Sequence, residues 1–383
     1  MLGPLAATAS VPTLSLPPLS LLDLRRIALT LLLAYAAARL CVWLGTPVPW
    51  MIGPLLATSL ASLAGGRMQS WVPFRNAGQW VIGVALGLYF TPEVGRLVAG
   101  LWWAIALGIA WALLLGLGFG AWLRRVHRGR IAGLAGAQLR STTFFASAIG
   151  AASEMTLIAE RHGGRTDLVA AAHSLRLLLV TLVVPFALQV WGVHGLDLYL
   201  VQVGTQTVQL GGLIALGALT LVGVVLMLGL KRANPWFIGS LVVSMVLTLS
   251  GQAWSAVPSG LIAAAQLVIG VSLGVRFTPA FLHTAPRWLV SVAAASGVMM
   301  VASALFAWAM SHATGLPLAT LVLGTTPGGI AEMAITAKVL QLGVPVVTAF
   351  QVCRLIAVLM LVEPLYTFLH RWTRSKKAHR SAP

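Results

Sequence analysis

Long apolar stretches, separated by short polar or basic connections, occupy nearly the whole chain. Several of them, such as residues 97–122, 167–191 and 286–311, exceed the roughly 20 residues that an α-helix needs to cross the hydrocarbon core of a bilayer. The pattern predicts an all-α polytopic membrane protein with six apolar segments in each half. The predicted segments run over 24–44, 49–65, 74–90, 96–122, 134–160 and 167–191, and then over 207–229, 235–250, 258–276, 286–311, 317–340 and 345–369.

The second half of the chain repeats the first. Pro49–Gly65 (PWMIGPLLATSLASLAG) returns as Pro235–Gly251 (PWFIGSLVVSMVLTLSG), and Gln79–Pro92 returns as Gln266–Pro279. Prolines, glycines and glutamines recur in the same order, which chance similarity between apolar helices would not produce. The sequence therefore predicts a duplicated unit.

The duplication divides the chain into four parts. Residues 1–20 form a loose, proline-rich segment that lacks the positively charged start of a signal peptide. The first membrane repeat is expected over 21–206 and the second over 207–370, followed by a basic cytoplasmic tail over 371–383.

Composition agrees with a protein that works in a lipid bilayer. Only 9% of the 383 residues are charged, against about 25% in an average soluble domain. The net charge of +17 would also suit a nucleic-acid-binding protein, but much of the basic excess lies in short connections, as in membrane proteins. No soluble stretch is long enough for a groove-reading module, so nucleic acid is not an expected partner.

The basic connections also predict the membrane topology of the chain. Arg25 and Arg124–Arg130 are expected in the cytoplasm, and the connection 191–206, which lacks lysine and arginine, on the other side. Both placements hold only if the fifth segment, 134–160, enters the membrane and returns. Each repeat then has about five transmembrane helices plus one re-entrant or broken helix, and the two repeats are inverted, as in many secondary transporters. Twelve plain crossings in parallel repeats are the alternative.

We therefore expect a multi-pass protein of the inner membrane, with both termini in the cytoplasm.

A helix-breaking sequence, GTTPGGIAEM, lies in the fifth segment of the second half. Proline removes a backbone donor and glycine frees the backbone, and a break at membrane depth is tolerated where it lines a cavity or is buried in protein. The N–H groups that begin the next half-helix would favour an anion or a polar solute. A simple turn is the alternative. The candidate substrate-binding residues at this break are Thr325, Thr326, Pro327, Gly328, Gly329 and Glu332.

The first half carries a degenerate copy of this sequence. Ile149 and Ala151 flank Gly150 where the second half has Pro-Gly-Gly. We therefore expect a weaker break there and a functional difference between the halves.

Four charges occupy matched positions in apolar surroundings. Glu154 is followed by Arg176 at the same spacing as Glu332 is followed by Arg354. A charge near the middle of a membrane helix costs roughly 2.5–3.5 kcal/mol even on mild insertion scales, so it needs a partner or water. The simplest prediction is two ion pairs, Glu154 with Arg176 and Glu332 with Arg354.

His173 and Gln351 each lie three residues before one of these arginines and share its helix face. Together with the four charges they are candidates to line a buried site for a substrate or a coupling proton. Ion pairs that only fix helix packing are the alternative.

Signatures of enzymes and metal sites are missing from the sequence. The eight histidines are scattered, and the two cysteines lie far apart in apolar segments. Neither catalysis nor a metal or other cofactor is predicted.

The duplicated PWxIG blocks, the TTPGGxAEM block and the matched arginine helices resemble the membrane AbrB-duplication family of Gram-negative bacteria, over about residues 20–370. Members are commonly labelled AbrB family transcriptional regulators or ammonia monooxygenases, and a related member is linked to expression of a DNA-alkylation response gene. The family is grouped with cation–proton antiporter and anion-transporter folds. The resemblance therefore implies a transporter-like fold, although nothing here is similar to the β-rich domain of the soluble AbrB proteins.

We expect a secondary-transporter-like protein that binds or moves a small solute, including an anionic one, at a midplane site between the repeats. Coupling to H⁺ or Na⁺ and assembly into a homo-oligomer are left open by the sequence. The alternative is a membrane regulator or sensor that influences gene expression without binding DNA directly.

Overall fold

The computed structural model describes residues 20–131, 134–192, 207–230, 234–252, 254–279, 281 and 285–380, and their side chains as far as residue 369. Within these ranges the chain forms helices and connections with no strand, which confirms the all-α prediction. The predicted loose segment 1–20, apart from residue 20, and most of the connection 191–206 lie outside the described residues.

The helices follow the predicted segments. The first half contains α1 (Leu21–Trp43), α2 (Pro49–Leu63), α3 (Val72–Gly87), α4 (Pro92–Gly100), α5 (Trp102–His127), α6 (Gly136–Ser147), α7 (Ala152–Arg161) and α8 (Thr166–Val190). The second half contains α9 (Leu210–Gly229), α10 (Pro235–Leu249), α11 (Ser259–Gly274), α12 (Pro286–Thr314), α13 (Leu318–Thr325), α14 (Ile330–Val339) and α15 (Val344–Arg380).

Among the residues that the structure describes, six helices are long and apolar enough to cross a membrane, namely α1, α5, α8, α9, α12 and the part of α15 that ends at Leu369. The chain is therefore a multi-pass membrane protein. The structure divides the predicted fourth segment of the first half, because the short helix α4 precedes α5 and bends by 89° from α3. None of its residues is buried.

The PWxIG motifs begin α2 and α10 and bring each of these helices against the preceding one. A Cβ atom added at Gly53 would lie 2.7 Å from the carbonyl oxygen of Ala37 on α1. One added at Gly239 would lie 2.6 Å from the carbonyl oxygen of Gly223 on α9. Only glycine permits this backbone approach, which is typical of membrane helix pairs.

The helices form two groups. Helices α1–α3 and α9–α11 pack mainly on one another and are here named the panel bundle, whereas α5–α8 and α12–α15 form the core bundle. The bundles meet mainly where α14 and α15 touch α3 and where α4 touches α10 and α15. Each bundle thus combines corresponding helices from both halves of the chain.

Within the panel bundle, each half packs its third helix against the second helix of the other half. A Cβ atom added at Gly83 on α3 would lie 2.6 Å from the carbonyl oxygen of Phe237 on α10, and one at Gly87 would lie 2.8 Å from that of Leu241. The equivalent glycines of α11 approach α2 in the same way. Residue numbers rise together along both helices of each pair, so the paired helices run parallel.

Candidate functional site

The fifth segment of each half doubles back on itself. In the first half, the backbone N–H of Arg165, after α7, donates to the Thr142 hydroxyl on α6 at 2.9 Å, and Gly343 donates to Thr320 on α13 at 3.3 Å in the second half. Arg165 and Thr142 are 23 residues apart, which would be about 35 Å along a continuous helix. Each fifth segment is therefore a hairpin of two half-helices.

Both hairpins turn at a break of the same length. Helix α13 ends at Thr325 and α14 begins at Ile330, as the Pro-Gly-Gly sequence predicted; α6 ends at Ser147 and α7 begins at Ala152. The expectation of a weaker first break is therefore wrong. The hydrogen bonds made around each break by the following helix explain why Pro-Gly-Gly is not required.

In the second half, the break is held by Arg354 and Gln351 on α15. The Arg354 guanidinium donates to the carbonyl oxygens of Thr326 at 2.7 Å and Gly328 at 2.9 Å, and to the Gln351 side-chain oxygen at 2.5 Å. The Gln351 amide nitrogen donates to the carbonyl oxygen of Leu323 at 2.6 Å. These donors satisfy carbonyl groups that the interrupted helix leaves without internal partners.

In the first half, Arg176 and His173 on α8 do the same. The Arg176 guanidinium donates to the carbonyl oxygen of Ala148 and to Nδ1 of His173, both at 2.9 Å. It also lies 3.4 Å from the carbonyl oxygen of Ser147. Nε2 of His173 lies 2.9 Å from the carbonyl oxygen of Phe145. This network assigns the neutral tautomer with the proton on Nε2, because Nδ1 accepts from Arg176.

The predicted ion pairs of Glu154 with Arg176 and of Glu332 with Arg354 are therefore wrong. The ion pairs that the described residues form within 4.0 Å involve other side chains. The physical reason is that the carbonyl end of a half-helix carries partial negative charge and free acceptors, and a guanidinium with five N–H donors matches both. Arg176 and Arg354 hold the hairpins together.

Glu332 lies in the first turn of α14 and is only 7% exposed. Its carboxylate folds back over the start of its own helix, where a Cβ atom added at Gly329 would collide with it. The partial positive charge at this helix end therefore already faces a carboxylate, at the place where an anionic solute was expected. Glu154, at the equivalent position, is only partly buried.

The hydroxyl groups of Thr325 and Thr326 bond back to their own helix, to the carbonyl oxygens of Leu321 at 2.8 Å and Val322 at 2.6 Å. They do not present free donors to a cavity in this conformation. Thr326 contributes to the site through its carbonyl group.

The two breaks lie together inside the core bundle. A Cβ atom added at Gly328 would lie 2.9 Å from Val180 on α8, and one at Gly150 would lie 3.2 Å from Val358 on α15. Each hairpin therefore packs against the sixth segment of the other half. The guanidinium groups of Arg176 and Arg354 are near enough to interact electrostatically. The structure thus brings most of the predicted site residues into one buried region.

A crevice follows the seam between the panel bundle and the core bundle. It is too narrow to hold a water molecule in this conformation. Its lining residues are Ser174 and Leu178 from α8 and Leu273, Arg276 and Phe277 from the end of α11.

Arg276 connects this crevice to Glu332. The Arg276 side chain is exposed, and its guanidinium is close enough to interact electrostatically with Arg75 on α3 and with Glu332. Arg276 of the panel bundle therefore interacts with the buried carboxylate of the core bundle, and Arg75 interacts with Arg276.

A second contact joins the bundles at the opposite end of α3. The ammonium group of Lys338 on α14 lies 5.5 Å from the centre of the Tyr89 ring. Tyr89 and Arg276 are equivalent in the duplication, and this pair is one of the few differences between the otherwise similar blocks Gln79–Pro92 and Gln266–Pro279. The difference was a usable signal for Arg276, which sequence reasoning missed together with Arg75.

No metal-binding group of three or more histidine, cysteine or acidic side chains occurs among the residues that the structure describes.

Known proteins similar to this chain share most of its length. The chain is 25% identical over 365 residues to an uncharacterised protein, YhjN, of Bacillus subtilis (strain 168), with 88% of this chain and 91% of the relative covered. It is 23% identical over 335 residues to a protein of Escherichia coli (strain K12) named provisionally as regulator AbrB, with 87% and 93% covered. No solved structure matches the chain.

A family model described as transition state regulatory protein AbrB matches residues 50–370, a range that contains α3 to α14 with both hairpins, together with Arg354 on α15. The chain therefore belongs to the AbrB family.

Proposed function

We propose that this AbrB-family membrane protein is a secondary transporter or a close derivative of one, which binds and moves a small solute at the seam beside Glu332. The observation that carries the proposal is the pair of broken-helix hairpins, one from each half, packed together in the core bundle. Broken helices near the midplane, at the interface between repeats, form the solute and ion sites of many secondary transporters.

Inverted repeats are part of the same proposal. Arg75 near the start of α3 interacts with Arg276 just beyond the end of α11, which supports opposite directions for these equivalent helices. The distribution of basic residues supports the same arrangement, with the protein in the inner membrane and both termini in the cytoplasm.

Coupling to protons is supported by the surroundings of Glu332, the only buried acidic side chain in the part of the chain whose side chains are described. A carboxylate in an apolar setting without an ion pair within 4.0 Å can bind and release a proton as water gains or loses access to it. We favour H⁺ over Na⁺, because Na⁺ as a hard cation would require several oxygen ligands converging on one point.

Movement of the two bundles relative to each other is the testable core of the proposal. In a variant with Cys41 and Cys353 replaced by alanine, Tyr89→Cys and Lys338→Cys can be joined by a short bifunctional thiol reagent. A third cysteine, Ser174→Cys, reports access to the crevice through its labelling rate with a membrane-impermeant maleimide in inside-out vesicles. The bifunctional reagent could also react with the cysteine at position 174. The maleimide labelling of that cysteine is therefore normalised to the amount that can still be labelled after denaturation.

If the protein alternates between two openings, crosslinking Tyr89→Cys to Lys338→Cys should close one opening and favour the other. The maleimide should then label Ser174→Cys faster. The matched control is Tyr89→Cys without Lys338→Cys, treated with the same reagent. Equal labelling rates in the locked and control proteins would show that the bundles do not move in a coupled manner, and the transport proposal would be abandoned.

A membrane sensor or regulator is the second candidate, favoured by the name of the Escherichia coli relative. On this alternative, the fold binds a solute without opening alternately to the two sides, and it influences gene expression without contacting DNA. Unchanged labelling at Ser174→Cys together with solute binding would favour the sensor.

A further inference from the structure

Three charged side chains lie within electrostatic range of one another, through Arg276, at one side of the seam. Arg75 and Arg276 come from the panel bundle, and Glu332 comes from the core bundle. Arg276 interacts electrostatically with both of the others. The positive charge of this group therefore exceeds its negative charge by one.

Arg75 is incompletely satisfied. Its Nε atom is buried and has no hydrogen-bond partner among the described residues. Its guanidinium makes one long hydrogen bond, 3.4 Å to the side-chain oxygen of Asn76. Neither Arg75 nor Arg276 takes part in an ion pair within 4.0 Å in the described part of the chain. A buried donor without a partner is costly, so this arrangement calls for an additional acceptor.

The missing acceptor should be an anion. Two neighbouring guanidinium groups repel each other unless negative charge lies between them, and their planar arrays of donors match carboxylate and phosphate oxygens. Glu332 can supply only part of that charge, because its carboxylate also covers the start of α14.

Building on the proposed function, we propose that Arg75 and Arg276 bind the carboxylate or phosphate group of a small anionic solute at the seam, in competition with Glu332. The anion site is thereby assigned to the panel bundle and not to the N-terminus of α14. The occupant that we infer is a dissolved anion and not a lipid headgroup, because Arg276, whose own side chain is exposed, interacts with a carboxylate that is buried inside the protein.

The test uses the full-length protein in phosphatidylcholine nanodiscs, with succinate and inorganic phosphate as probes and neutral succinamide as the matched control compound. Binding is measured as a saturable rise in the thermal-unfolding midpoint. We expect at least one anion to bind, and both Arg75→Gln and Arg276→Gln to weaken that binding about tenfold or more, as for loss of a charged hydrogen-bond partner.

Two further variants separate the site from general electrostatics. Arg96→Gln removes one positive charge from an exposed arginine that pairs with Glu93 on α4, and it should leave anion binding unchanged. Glu332→Gln removes the competing carboxylate, and it should increase anion affinity. If Arg75→Gln or Arg276→Gln does not fold, it is replaced by the lysine variant at the same position, which keeps the positive charge but loses the planar donor array and should weaken binding less.

Several outcomes would overturn the proposal. These are the absence of a saturable shift with either anion, an equal shift with succinamide, or an equal loss in Arg96→Gln. The fourth outcome is that phosphatidylglycerol nanodiscs stabilise the protein through Arg75 and Arg276, whereas succinate and phosphate have no effect. The occupant would then be a lipid headgroup. Coupled movement of the bundles without anion binding would refute only this inference, whereas anion binding without movement would refute only transport.

Discussion

His173 and Gln351 occupy equivalent positions in the two halves and make the same pair of contacts. Nε2 of His173 lies 2.9 Å from the carbonyl oxygen of Phe145, and the amide nitrogen of Gln351 lies 2.6 Å from that of Leu323. The other polar atom of each side chain accepts a hydrogen bond from the arginine three residues later. A neutral histidine and a glutamine both offer one donor and one acceptor, so either can hold a hairpin to the following helix.

This equivalence predicts that His173→Gln is tolerated, whereas His173→Ala is not. The alanine variant leaves the buried carbonyl group of Phe145 without its donor and removes one of the acceptors of Arg176, which should cost on the order of 1–3 kcal/mol. The measurement is the free energy of unfolding in detergent micelles, obtained by titration with sodium dodecyl sulfate. Equal destabilisation by glutamine and alanine would show that the histidine ring itself is required.

A second prediction concerns Arg354 and Glu332. Arg354→Gln removes the donors to Thr326 and Gly328, and we expect it to destabilise the protein by about 1–3 kcal/mol or more. Adding Glu332→Gln should not restore stability, because the two side chains are not paired. In a double-mutant cycle the coupling energy should stay within roughly 0.5 kcal/mol. Recovery of stability in the double variant would instead indicate a direct ion pair.

Close packing at the PWxIG motif gives a third prediction. Gly239→Ala would place a methyl group against the backbone of α9 and should cost about 1–3 kcal/mol, as for overpacked cores. Gly297→Ala on α12 is the matched control, since nothing lies within 4 Å of the added atom, and it should be neutral or slightly stabilising. Both variants are compared by the same unfolding titration. A tolerated Gly239→Ala would mean that α9 and α10 can separate freely.

The fourth prediction concerns the membrane topology of the first half. Reporter fusions after Arg130 and after Arg165 should both indicate the cytoplasm, because the hairpin of α6 and α7 returns to the side from which it enters. A fusion near Gly204 should indicate the periplasm. Alkaline phosphatase and green fluorescent protein fusions provide the two complementary signals. Opposite signals at Arg130 and Arg165 would show that this segment crosses the membrane.

Much of the fold was determined by the sequence alone. The length of each apolar segment is fixed by the thickness of a bilayer, so hydropathy located the helices. The duplication of the PWxIG motifs and their neighbouring glycines showed which helices are equivalent. The break at Pro327 was readable because proline and paired glycines act on the local backbone.

The partners of the buried charges were decided only by the tertiary structure. Sequence reasoning correctly required a partner for Arg176 and Arg354, but it searched among side chains and selected Glu154 and Glu332. The actual partners are backbone carbonyl groups, which every residue carries and which become available only where a helix is interrupted beside the arginine.

The seam beside Glu332 also depends on the tertiary structure. Arg75 and Arg276 are about 200 residues apart in the sequence, and each looks like an ordinary basic residue near a membrane helix end. They approach each other because α3 packs against α11 from the other half. Hydropathy and spacing report which residues lie in the membrane, but which of them come together is determined by how the two bundles pack in the tertiary structure.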